Sequence, residues 1–244
     1  MSPTRTIFKR EFAGYFATPL AAVYLVIFLA LTGIFTFNMG GLYESGQASL
    51  RPFFGFLPQL FLFLVPAIAM RIWAEERRLG TVELLMTLPV SVGELVTGKF
   101  LAAWAFACVA LGLTVPLWLT VSYLGDPDHG VILTSYFGGA LMAGAFLAVG
   151  ACLSALTKNQ VIAFVLCLIA FFALLLSGYP GFTELVPGWM PEVVVDALAY
   201  MSFLTHYEAL QKGVVDLRDV LFFLSVIGAA LFVNALVLDW KKAD

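Results

Sequence analysis

The chain has 244 residues, of which 61% are hydrophobic and 12% charged, with a mean hydropathy of +0.97. A soluble domain is typically about 25% charged, so this composition excludes a body surrounded by water and points to lipid. A net charge of −3 offers no electrostatic footprint for a nucleic-acid partner.

Six long apolar runs occupy 18–39, 56–74, 98–123, 132–156, 160–178 and 218–238. A helix needs roughly 20 mostly apolar residues to cross a bilayer core, so the runs predict an all-α protein with six spans, forming one membrane domain over 1–244. Residues 2–11 are polar and charged, and the first run is too long for a signal-peptide core, so no cleavable leader is expected. With the N-terminus in the cytoplasm, Arg51, Lys212 and Arg218 fall outside and the other 10 of the 13 basic residues fall inside. An even number of spans returns the C-terminal DWKKAD to the same side.

Along the chain, Ser2 and Pro3 form a helix-start signal. Ile7, Phe8, Phe12, Tyr15 and Phe16 recur near helical spacing, with Arg5, Lys9 and Arg10 between them. This predicts an amphipathic helix lying in the inner interface before a turn at Pro19; the alternative is a cytoplasmic extension of the first span. GGLYESGQASLRPF is a short outer loop, Pro58 and Pro66 should bend the second span, and Arg71 near its inner end should snorkel to the interface.

The one sizeable inner segment, EERRLGTVELLMTLPVSVGELVTGK, comes next. Gly80 can end one helix, Thr81 can cap a short second one with Glu83 in its first turn, and Pro89 stops it. Ser91 and Glu94 have capping-box spacing at the start of the third span. Within this stretch GELVTGKF matches G-x-x-x-x-G-K, the outline of a phosphate-binding loop. Such a loop joins a strand to a helix and follows its lysine with a hydroxyl. Here the stretch reads as helix from Ser91 onward, Phe100 takes the hydroxyl position, and Lys99 sits at a membrane boundary as a positive-inside lysine. Nucleotide binding by this chain is not expected.

The fourth run is rich in small residues, with Ala140, Gly144 and Ala148 four apart and Ala151 and Ala155 beyond, which allows close helix approach inside one subunit. TKNQ is a tight turn into the fifth run. From Ser177 the chain turns irregular, broken by Pro180, Pro187 and Pro191, with Trp189 and Tyr200 suited to a headgroup-level belt. Thr205 and Glu208 suggest another capping box, Gly213 a helix end, Asp216 a cap on the last span and Asp219 its first turn. These residues predict a short helical cap on the outer surface.

Catalytic chemistry is not expected. His129 and His206 have no second ligand at i+3 or i+4 and read as solvated, and Cys108, Cys152 and Cys167 lie in apolar runs without ligand spacing. The spans hold almost no acidic residues for a proton relay, so energy must come from outside the chain.

WAEERRLGTVELLMTLPVSVGELVTGKF resembles the signature of ABC-2 type permeases, the membrane subunits of ATP-binding-cassette exporters. The resemblance extends from RPFF and LVPAIAMR to HYEALQKGVVDLRDV and is nearest the gliding-motility-associated, GldF-like branch. It implies a bacterial inner-membrane protein that forms half of a dimeric pore with a second copy or a related permease. A separate ATPase subunit would bind the ATP and magnesium, leaving this chain without a cofactor of its own. The resemblance further implies that Thr81, Val82, Glu83, Leu84, Leu85, Met86 and Thr87 form a coupling helix seated on that ATPase, flanked by Glu75, Glu76, Arg77 and Arg78. Gly80, Pro89 and Gly93 would border this lever as hinges. Outward transport of a substrate is one expected outcome; driving a periplasmic partner without a through-path is the other.

Overall fold

The computed structural model describes residues 2–42, 44, 46–81, 89–177, 179 and 200–240, and every regular element among them is helical. Val82 to Thr87, Pro180, Pro187, Trp189, Pro191, Lys241 and Lys242 lie outside the described residues.

Helix starts follow local chain chemistry. Extended Ser2 precedes α1 (Pro3–Phe16) and extended Thr18 precedes α2 (Pro19–Ile34). Each helix opens on a proline, whose missing N–H has no intrahelical acceptor at that position. α2 widens into a π-turn at Phe35–Met39. α3 (Arg51–Leu79) runs 29 residues, longer at both ends than the apolar run, because RPFF and EERR are helical too. It contains Pro58 and Pro66 and ends at Gly80, whose φ of 69° is the left-handed conformation that glycine adopts without strain.

The capping box exists. Ser91 Oγ accepts from Glu94 N at 3.3 Å and Glu94 Oε2 accepts from Ser91 N at 3.0 Å, starting α4 (Val92–Gly112). The third run is not one helix but two, because Pro116 has no N–H for the Gly112 carbonyl and α5 (Val115–Leu124) restarts after Thr114. Asp128 Oδ1 accepts from Gly130 N and Val131 N to cap α6 (His129–Leu156). Asn159 accepts from Val161 N to cap α7 (Gln160–Leu176).

The expected capping box at Thr205 and Glu208 does not form. Ser202 Oγ accepts from Leu204 N at 3.2 Å, so α8 (Phe203–Gln211) begins earlier with Thr205 inside it, and Glu208 instead faces Lys212 at 3.6 Å. Gly213 follows with φ 87°, and Asp216 accepts from Arg218 N at the start of α9 (Leu217–Trp240), with Asp219 in its first turn.

Among the described residues, five helical stretches are long and apolar enough to cross a membrane: Pro19–Met39, Arg51–Leu79, Val92–Leu124 (α4 and α5 in succession), His129–Ser154 and Leu217–Trp240. The fifth apolar run gives α7, which is shorter at 17 residues.

α6 is the centre of the bundle and packs on α3, α4, α7, α8 and α9. The hydrophobic window of α6 is 72% buried and that of α3 67%, against 22% for α2 and 17% for α9, so the last two keep broad apolar faces outward. Lipid tails are as apolar as leucine side chains, so helices associate here through close van der Waals fit rather than escape from water. Small residues on α6 supply that fit. Trp104 of α4 fits against Gly144 and donates its indole N–H to the Ala140 carbonyl at 2.8 Å. At Gly150 an added Cβ would sit 2.5 Å from the Ala69 Cβ of α3. Gly150→Ala should therefore push α3 from α6 and lower stability by about 1–3 kcal/mol. Unfolding of the purified variant in detergent reads this, and an unchanged midpoint would refute the close contact.

Candidate functional site

The charged residues of the inner segment gather where α3 ends. Lys99 on α4 is only 4% exposed, and its Nζ lies 2.7 Å from Glu76 Oε1 of α3 and 3.2 Å from Glu11 Oε2 of α1. The same ammonium stands 5.3 Å from the centroid of the Trp73 ring. A buried ammonium is strongly unfavourable unless paired, and this one has two carboxylates and an aromatic face.

To the boundary position expected of Lys99 this geometry adds a role: it is an interior cross-brace joining three helices. Gly98 beside it serves the same junction, because a Cβ there would sit 2.8 Å from Ile7 Cγ2, so the glycine lets α1 lie directly on α4. The glycine and lysine of the phosphate-loop outline thus have structural work inside a helix bundle.

The other flanking charges are also engaged. Arg71 Nε donates to Glu75 Oε2 at 2.8 Å, one helical turn on. Arg77 donates from Nη1 to the Ala155 carbonyl at the end of α6. Ser154, next to it, accepts from Trp73 N and Ala74 N at 3.2 and 3.1 Å and donates to the Met70 carbonyl at 3.1 Å. α6 is therefore stitched to the α3 backbone at the same level as the lysine. Arg78 is exposed and has no partner among the described residues.

Thr81 Oγ1 donates back to the Glu76 carbonyl at 3.3 Å, closing the end of α3. Pro89 lies in a bend, and Gly93 is helical within the first turn of α4, where Thr97 Oγ1 donates to its carbonyl at 2.7 Å.

A second polar cluster lies on α8. His206 is buried rather than solvated: its Nδ1 is 2.6 Å from Asp219 Oδ1, its Nε2 is 2.9 Å from the Tyr200 carbonyl, and its ring stacks on Phe222. The carbonyl can only accept, so Nε2 carries a hydrogen. The sequence held a signal for this burial, because His206 shares a face with Phe203, Tyr207 and Leu210, all buried. His129 is exposed and accepts from Trp118 Nε1 at 3.0 Å. No group of three possible metal ligands occurs among the described residues.

A bundle of apolar helices with one charged, cross-braced end and no catalytic constellation among its described residues fits a membrane subunit. Residues 7–238 match the family described as ABC-2 family transporter protein. The chain belongs to the ABC-2 transporter family. It is a multi-pass, non-catalytic transmembrane component, and ABC-2 permeases pair with an ABC ATPase. No curated protein matches the sequence.

The brace makes a sharp prediction about stability. Lys99→Met leaves Glu76 without its cation and Glu11 with only the exposed Arg10, and should cost about 3 kcal/mol, the low end for a broken buried pair because both carboxylates keep some solvent contact. Adding Glu11→Gln and Glu76→Gln should recover most of the loss. Burial pushes the Glu11 carboxyl up, but Lys99 and Arg10 outweigh it and hold the group below the ordinary carboxylate range. Its contribution to stability is thus present above that range and is lost as pH falls through the lowered value. Detergent unfolding of wild type should show this acid loss and Glu11→Gln should show less. Equal acid sensitivity in both, or a harmless Lys99→Met, would remove the brace.

Proposed function

We propose that this permease couples ATP hydrolysis on a separate subunit to outward movement of a substrate, with Thr81 to Thr87 as the seat of the ATPase. The observation that supports it is the clamp at the base of α3. There α1, α4 and α6 are tied to the last two turns of α3 by Lys99, Arg77 and Ser154. Displacement of that end would carry the four helices together, because a close-packed and ion-paired junction shifts as a body rather than deforming smoothly.

In this reading both termini face the cytoplasm of a bacterial cell and the chain crosses its inner membrane six times. The passage through α7 is the short one, its 17 residues spanning about 26 Å at 1.5 Å each. A bilayer core of about 30 Å adjusts to such a mismatch by thinning locally. The outward apolar faces of α2 and α9 suit a neighbour in the membrane, either a second copy or a related permease of the GldF-like kind. Glu75, Glu76 and Arg77 hold the lever within the chain, so exposed Arg78 is the described flanking charge left to offer the ATPase.

A second reading, a mechanical stroke delivered to a periplasmic partner, draws on the apolar exposed residues of α2 and α7, such as Val26, Ile27, Val161 and Ile169, which offer no wetted path. Depletion of a candidate substrate from one leaflet by the reconstituted complex separates the two.

Coupling is tested by co-expressing the chain with its ATPase and introducing Glu83→Arg or Leu84→Pro. Both variants should insert in the membrane normally yet lose co-purification or ATPase stimulation by tenfold or more. Wild-type complex yield and wild-type hydrolysis in both would reject the seat.

A further inference from the structure

Two cavities meet at Tyr15 and Arg71. One, of about 450 Å³, lies between α1 and the end of α3 and is walled by Arg10, Gly14 and Glu76 as well as those two residues. That is within the range of roughly 300–1,000 Å³ typical of small-molecule sites. The other, of about 170 Å³, runs between α2 and α3 along Leu20, Ile27, Leu64 and Ala67. Tyr15 and Arg71 thus stand in the walls of both a charged chamber and an apolar groove.

The chamber presents unused donors beside an unused acceptor. Arg71 spends its Nε on Glu75, leaving its two terminal nitrogens without partners among the described residues. Arg10 gives one terminal nitrogen to Glu11, and the Tyr15 hydroxyl has no hydrogen bond among the described residues. Glu76 gives Oε1 to Lys99, while its Oε2 is buried with no partner among them. A simple anion would meet Glu11, Glu75 and Glu76 on the same wall, and a simple cation would meet Arg10 and Arg71. A group that carries both signs a few ångströms apart satisfies the whole set.

We propose that α1, α2 and α3 bind a membrane phospholipid whose headgroup joins a phosphate to a primary ammonium. The phosphate sits on Arg71, Arg10 and the Tyr15 hydroxyl, the ammonium donates to Glu76 Oε2, and an acyl chain lies between α2 and α3. A quaternary ammonium has no N–H to give Glu76, so choline lipids fit poorly. A headgroup without the ammonium leaves Glu76 unanswered. The site rests on the chain being embedded in a bilayer; Thr81, the first residue of the proposed ATPase seat, also lines the chamber.

The test uses the full chain purified in mild detergent without its ATPase, so a failure of coupling leaves the result untouched. Binding of a fluorescent phosphatidylethanolamine is followed and competed with phosphatidylethanolamine, phosphatidylcholine, phosphatidylglycerol or water-soluble phosphoethanolamine. Saturable binding is expected, with phosphatidylethanolamine competing at concentrations at least tenfold below the other three. Arg71→Gln should weaken binding at least tenfold, as should Gly14→Trp, which fills the chamber from a position whose added Cβ meets nothing within 4 Å. Ala67→Trp should do the same by filling the groove, and the Gly14→Trp protein should unfold like wild type. Equal competition by all the lipids, preference for phosphatidylglycerol, equal displacement by phosphoethanolamine, or full binding by both Arg71→Gln and Gly14→Trp would each overturn the assignment.

Discussion

An ammonium group taken out of water must find negative charge or lose its own, and Lys99 is nearly out of water. Its side chain reaches one carboxylate on the N-terminal helix and one on α3, so three helices far apart in the chain must converge within a few ångströms. Other contacts at this end reinforce that convergence: Gly98 admits Ile7, Arg77 reaches the α6 carbonyl, and Ser154 binds the α3 backbone. Buried ion pairs add little net stability compared with apolar packing, and a role in fixing geometry is the better account of one placed here. The fixed geometry sits at the end of α3, next in sequence to the segment proposed to seat an ATPase.

Away from that end the bundle uses a different physical resource. In α6, Gly144 and Gly150 leave room for Trp104 and Ala69, and nearly every neighbouring helix packs on this one. α2 and α9 are attached more lightly and show apolar faces outward. A body clamped at one end and close-packed through its middle, with lightly held flanks, can transmit a displacement applied at the clamp. At the other end His206 and Asp219 tie α8 to the start of α9.

Features set by a few adjacent residues were legible in the sequence. Pro3 and Pro19 open helices, Gly80 closes one in the left-handed region, and Ser91 with Glu94 forms the reciprocal cap. One start was misjudged because a nearer residue competed: Ser202 takes the cap assigned to Thr205. The role of Lys99 was hidden because its partners sit on other helices and composition does not register pairing across the chain. His206 could have been found from its apolar helical face, but its partner Asp219 belongs to the next helix. The residues proposed for ATPase docking were legible only by family resemblance, since nothing in their local chemistry names a partner.

The central claim is that the cross-braced ends of α1, α3, α4 and α6 move as one body. Spin labels placed at exposed Lys9 on α1 and exposed Lys158, just past α6, report on that body without touching the brace. In the complex with its ATPase, the Lys9–Lys158 distance distribution within one chain should stay the same with and without ATP. In the proposed two-permease complex, the distance between Lys158 labels on the two permeases should shift. A nucleotide-dependent change in the Lys9–Lys158 distance within one chain would contradict the account.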